Sequence, residues 1–120
     1  KEEVRMANNF KNAFATSVST NSSSPTTVYT AAASGSAVNS ILIELDVANT
    51  GSSAVQVTVQ IRDASASASF HIVKNAPIPA GGALKVVSGQ KVVLNGNDQV
   101  RVYASASTVD VVCSILEDVA

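Results

Sequence analysis

Between Val55 and Arg62 the chain alternates without a break: Val55, Val57, Val59 and Ile61 are apolar, while Gln56, Thr58, Gln60 and Arg62 are polar. Successive side chains of a strand point to opposite faces, so a period of two gives one buried face and one wet face. A helix would need its apolar residues three and four apart. The segment is therefore a strand lying on a core. The run Ile41 to Val47 reads the same way, with Ile41, Ile43, Leu45 and Val47 on one face and Glu44 and Asp46 on the other. Between the two runs, Asn49-Thr50-Gly51-Ser52-Ser53 supplies turn residues, which predicts an antiparallel hairpin.

The pattern continues to the C-terminal side. Leu84 to Val87, Lys91 to Leu94 and Val100 to Tyr103 are short apolar runs, and Asn95-Gly96-Asn97-Asp98 is a turn between two of them. Val109 to Leu116 closes the series; its lower half is apolar on both faces, as expected of a central strand or one covered by a partner. Lys74 to Gly82 contains Pro77, Pro79, Gly81 and Gly82, which places it in a loop or at a sheet edge, since proline donates no ladder hydrogen bond. Strands at this spacing without a helical period predict an all-β domain, a β-sandwich or jelly roll of roughly eight strands. A small open barrel is the other architecture compatible with the spacing.

The first 25 residues differ in composition and predict an irregular, partly extended N-terminal arm preceding a sandwich over 26–120. Met6-Ala7 resembles a translation start, which would make residues 1–5 a lead or an expression remnant. Asn21-Ser22-Ser23-Ser24-Pro25 is a polar break with too little apolar surface to order itself. Between them, Phe10, Phe14 and Val18 share a face whether the segment is a strand or a helix. The abundance of Asn, Thr, Ser and Val favours a strand with those three residues inward. This arm carries two of the three phenylalanines, which marks it as the piece that reaches a neighbour.

Composition narrows the function. With 4% aromatic residues and no Trp, the core is built from Val, Ile, Leu and Ala. A net charge of -1, with eight scattered Lys and Arg residues, supplies no basic field for nucleic acid. The longest apolar stretch is about five residues even when glycine is counted, Ala80 to Leu84, against roughly 20 for a membrane helix. A signal-peptide pattern is missing too, so secretion by that route is not expected. One cysteine, Cys113, cannot form an intrachain disulfide.

Residues that carry chemistry are scarce. The single histidine, His71, lies beside strand residues with no Ser, Cys or Asp at a diagnostic spacing, and reads as a surface or packing residue. Cys113 is in phase with Val109, Val111 and Ile115 and reads as a small core hydrophobe. A zinc set cannot be assembled from one His and one Cys without carboxylates. The candidate for a cation is Asn95, Asn97 and Asp98, whose oxygens suit Ca²⁺, although Asn-Gly is also a common turn dipeptide. Gly81-Gly82 is followed by no Lys-Ser or Lys-Thr and reads as a turn rather than a phosphate loop. Asn21-Ser22-Ser23 matches the glycosylation triplet, a frequent accident in a Ser-rich segment. Ala64 to Ser69 and Ala104 to Ser107 are small-residue stretches suited to loops and strand ends, or to close approach of another subunit. No catalytic residue and no cofactor are expected.

The order of these segments carries a resemblance. Thr27-Val28-Tyr29-Thr30, Ile41 to Asp46, Val55 to Asp63, Lys74 to Leu84 and Val109 to Glu117 together resemble small virion proteins of tailed bacteriophages. In that group an apolar Pro-Ile-Pro-Ala-Gly segment is followed by a Leu-x-x-x-Asp-x-(Val/Leu)-x-Val strand. Pro77-Ile78-Pro79-Ala80-Gly81 and Leu94 to Val102 match these two patterns. The likeness covers residues 26–117, about three-quarters of the chain. At Ala31-Ala32-Ala33-Ser34-Gly35-Ser36 the sequence departs from it, where a Pro-Ala-Gly turn is more usual. What the resemblance implies is a non-enzymatic structural protein of the neck, tail or capsid surface. Such a protein is assembled in the host cytoplasm and localised in the virion, and its partners are copies of itself and other virion proteins. Association is also expected of a small core with few aromatics, which makes a homo-oligomer or ring the natural state. Phe10, Phe14, Val112 and Leu116 are the interface candidates. The alternative is a carbohydrate-binding module contacting host polysaccharide, for which Tyr29 and Tyr103 would have to lie exposed on one surface.

Overall fold

The computed structural model describes residues 9–32 and 39–119. Met6-Ala7 and the stretch from Ala33 to Ser36 lie outside the described residues. The rest is eight strands without a helix: β1 (Asn9–Ala15), β2 (Thr26–Thr30), β3 (Asn39–Asn49), β4 (Val55–Asp63), β5 (Ala68–Ile78), β6 (Ala83–Leu94), β7 (Gln99–Ala104) and β8 (Val109–Val119). They form two four-stranded antiparallel sheets, ordered β1-β8-β3-β6 and β2-β7-β4-β5. Apart from the paired β4 and β5, consecutive strands go to opposite sheets in the way that makes a jelly-roll sandwich, so the all-β expectation holds and the open barrel does not.

The two inner faces make one core. Leu42, Leu45 and Val47 of β3, Val86 and Val87 of β6, and Val111, Cys113 and Ile115 of β8 meet Val55, Val57 and Val59 of β4 and Val100 and Val102 of β7. All are buried; along β4, β7 and β8 they alternate with residues of the outer face, as the period of two requires, while Val86 and Val87 are adjacent where β6 shifts register against β3. β8 is central, between β1 and β3, which accounts for its dense apolar sequence.

Three local expectations need correction. The turn at Asn49 to Ser53 does not close a hairpin, because β3 and β4 lie in different sheets and the segment is an arch between them. Turn residues report a reversal but not which sheet receives the next strand. Within β3 the register with both neighbours shifts between Leu42 and Glu44, a bulge. The extra residue is unpaired and inverts the alternation on one side of it. Leu42 is therefore fully buried and Ile41 faces outward with Val93 and Leu116, opposite to a simple period of two. The third correction concerns the arm. β1 is an edge strand of the first sheet, and Phe10 and Phe14 point outward, 79% and 62% exposed, while Ala13 and Ala15 pack on the core.

Only Val18 of the predicted inward trio is buried. The strand stops at Ala15, and Ser17 takes a positive φ of 53°, which turns the chain under the sandwich before Val18. Ser19 then bridges to Tyr103, with the Ala104 N–H donating to the Ser19 carbonyl at 3.0 Å. The polar break after it is a hydrogen-bonded turn: the Ser23 N–H donates to Asn21 Oδ1 at 2.8 Å and the Ser24 N–H to the Asn21 carbonyl at 3.0 Å. The sandwich therefore takes in residues before Thr26.

Each end of the sandwich is tied by one buried polar side chain. At one end Asn49 Nδ2 donates to the carbonyls of Ser53 at 2.7 Å, Ile78 at 3.2 Å and Pro79 at 3.3 Å. Its Oδ1 accepts from the Gly51 N–H at 2.9 Å and from Thr108 Oγ1 at 3.1 Å. The β3–β4, β5–β6 and β7–β8 connections are thus held together. At the other end Asp98 accepts from the N–H groups of Asn95 at 2.9 Å and Ala64 at 3.0 Å, and its backbone carbonyl accepts from the Ala31 N–H at 2.8 Å.

Candidate functional site

The two outer faces of the sandwich differ in chemistry. On the β2-β7-β4-β5 sheet, cross-strand neighbours pair Arg62 with Gln99, Gln60 with Arg101 and His71, and Thr58 with Tyr103. The Arg101 guanidinium donates to Gln99 Oε1, and Gln60 Nε2 lies 3.2 Å from His71 Nε2. This surface is polar and largely satisfied within itself.

The outer face of the β1-β8-β3-β6 sheet is different. Its register aligns Phe10 with Leu116, Leu116 with Ile41, and Ile41 with Val93. An unbroken apolar row therefore crosses all four strands, from Phe10, 79% exposed, to Val93, 60% exposed. Toward the other end of the sheet Phe14 pairs with Val112, which pairs with Asp46, which pairs with Lys85. Phe14 and Val112 are also exposed. Two shallow hollows flank β1: one of about 450 Å³ beside Phe10, Asn12 and Ser114, the other of about 300 Å³ beside Phe14, Asp110 and Val112.

All four residues proposed from sequence as interface candidates, Phe10, Phe14, Val112 and Leu116, thus fall on one face, as two directly paired couples. Sequence reasoning missed Ile41 and Val93. Val93 was legible, since Val92 and Leu94 flank it in the inward phase; Ile41 was not, because the bulge reverses its side.

Charge on this face is carried by β3 and β6 and by Asp110 of β8, whose carboxylate accepts from Thr16 Oγ1 at 2.6 Å. Lys85 Nζ lies 3.5 Å from Glu44 and 3.9 Å from Asp46. Burial raises the Asp46 carboxyl above the usual range, and the hydrogen bond and negative charge of Glu44 push the same way. Asp46 Oδ1 is buried without a hydrogen-bond partner.

The remaining candidates are placed as follows. Tyr29 is buried in the core, 8% exposed, whereas Tyr103 lies half-buried on β7. A shared sugar platform is ruled out by this arrangement, because a buried ring offers no face to a saccharide. The Tyr29 hydroxyl donates to Glu117, which also pairs with Lys11 at 3.8 Å, and lies 3.4 Å from Ser40 Oγ. Burial first, and then the Glu117 carboxylate, push the phenol up to about 12. Asn95, Asn97 and Asp98 form the turn described above; both Asp98 carboxylate oxygens are engaged by main-chain N–H groups, and Asn97 sits at φ 71°. Their geometry serves the turn rather than a cation. Among the described residues, no group of three His, Cys, Asp or Glu converges on one point. Cys113 is fully buried, and desolvation pushes its thiol up to about 12, which keeps it protonated and unreactive. His71 is exposed on β5.

Comparison with protein-family models, with curated proteins and with solved structures finds no match to this chain.

Proposed function

We propose that this chain is a non-enzymatic structural protein that acts through protein–protein contacts, and that it is a component of a bacteriophage particle. The observation that carries the first part is the apolar row Phe10–Leu116–Ile41–Val93 with the neighbouring Phe14–Val112 pair, set on one outer face of a sandwich whose other outer face is polar. Contiguous exposed apolar surface of this kind marks a place where other protein sits. The second part is supported by the likeness of Pro77 to Gly81 and of Leu94 to Val102 to the turn and strand patterns of small virion proteins.

Light scattering on the purified chain over a wide concentration range tests the contact reading. A discrete oligomer is expected, and the double substitution Phe10→Ser, Val93→Ser weakens it while leaving the melting temperature within about 2 °C, since both side chains are solvent-exposed. A chain that is monomeric throughout, or an oligomer indifferent to both substitutions, overturns this face as the contact. For the particle, the chain is expected in stoichiometric amount by mass spectrometry of purified virions.

A further inference from the structure

We infer that two copies of this chain join edge to edge through β1, antiparallel about a two-fold axis at Asn12, so that the two first sheets become one eight-stranded sheet. The inference rests on the protein-contact reading through Phe10 and Phe14, names a second copy as the partner there, and leaves Ile41 and Val93 uncovered on the joined sheet.

Its first support is a contrast among the four sheet edges. Exposed edges invite unwanted pairing, and proteins blunt them with short strands, prolines, lysines and bulges. β2 has five residues and a register shift between Thr27 and Tyr29. β5 carries Lys74 and Pro77 and shifts register twice against β4. β6 carries Lys85 and Lys91, shifts register against β3, and has positive φ at Gly89 and Lys91. β1 has none of these devices except Lys11: seven residues pair with β8 in unbroken register. Among the described residues, no strand pairs with its other edge.

The second support is the strand's own sequence, Asn9-Phe10-Lys11-Asn12-Ala13-Phe14-Ala15, which is nearly symmetric about its centre. Antiparallel pairing of two copies about Asn12 sets Phe10 opposite Phe14 of the second copy, twice. Directly opposed aromatic residues are among the favourable cross-strand pairs. Asn12 meets Asn12, and Lys11 meets Ala13, so no like charges stand directly opposed. The Lys11 side chains are diagonal neighbours, each near its own Glu117 at 3.8 Å. A two-fold interface must present a self-complementary surface, and β1 is one.

The pairing is tested by crosslinking. Opposed residues in an antiparallel pair have Cα atoms about 4.5 or 5.5 Å apart, and both values suit a disulfide. The Asn12→Cys chain, treated with diamide, is expected to run as a covalent dimer; Cys113 is buried and does not compete. Phe10→Cys and Phe14→Cys chains place their own thiols about 13 Å from the copy's equivalent, so each stays uncrosslinked alone and the two crosslink when mixed. A charge test needs no cysteine: Phe10→Lys with Phe14→Lys sets lysines opposite each other and weakens the dimer about tenfold or more. Phe10→Lys with Phe14→Glu sets Lys opposite Glu and restores much of it. Failure of both crosslinks overturns the inference. An oligomer that persists in light scattering despite that failure leaves the protein-contact reading standing through another surface; a monomer overturns both.

Discussion

Asn49 is 1% exposed and uses its whole amide to join three connections at one end of the sandwich. Replacing it with Ala strands buried carbonyls and the Thr108 hydroxyl, each of which costs about 1–3 kcal/mol when left without a partner. Asn49→Ala is expected to lower stability by about 3 kcal/mol in urea titration. Gly51 beside it has no room for a methyl group, whose carbon would stand 2.8 Å from Thr108 Oγ1. The sequence marks Asn49 as a turn residue but cannot show that Ile78, Pro79 and Thr108 converge on it, since those partners are 29 to 59 positions away. Tyr29 and Cys113 make the stability depend on pH. Both groups are pushed up to about 12, from ordinary values of 10.0 and 9.0, so both favour the native state while neutral. Their contribution is whole below pH 9 and is lost progressively as pH climbs toward 12. The urea midpoint is therefore expected to stay flat from pH 7 to about 9 and then fall. Tyr29→Phe removes the part of the fall above pH 10.0; parallel falls in both chains would contradict the role given to Tyr29.

Among the elements, β4 was legible because its alternation is uninterrupted, and β8 because a strand apolar on both faces is expected to be central. β3 was half legible. Its residues after the bulge obey the expected phase, while Ile41 to Ile43 do not, because a bulge leaves no reliable mark in a run of Ile and Leu. β1 was misread in its facing, not in its type. Phe10 and Phe14 carry the largest apolar surface in the segment, and burying them is the natural inference; instead Ala13 and Ala15 are the residues half-buried against the core. β1 also shields one edge of β8, and Val18 fills part of the core. Removing residues 1–25 is therefore expected to destabilise the domain by at least about 3 kcal/mol and to promote aggregation through the uncovered β8 edge, measured by urea titration and turbidity. A deletion that melts like the full chain would mean that β1 adds nothing to the fold.

At the scale of the whole molecule, the class of fold followed from strand spacing and the absence of helical period, but the partition into two sheets did not. Turn sequences such as Asn49 to Ser53 and Asn95 to Asp98 look alike whether they return a strand to its own sheet or carry it across. What decides is the long-range match of inner faces. The polar face of the β2-β7-β4-β5 sheet and the apolar row of the other sheet then give the molecule two outer faces of different chemistry. The order β1-β8-β3-β6 also bears on how the protein is born. Both inner neighbours of β8 precede it by at least 60 positions in the chain, and such distant pairings place folding on the order of milliseconds to seconds. While the ribosome is still reading toward Val109, β1 has no neighbour to hold it straight. The edge that two copies would share is thus backed by its own sheet only once β8 has been made.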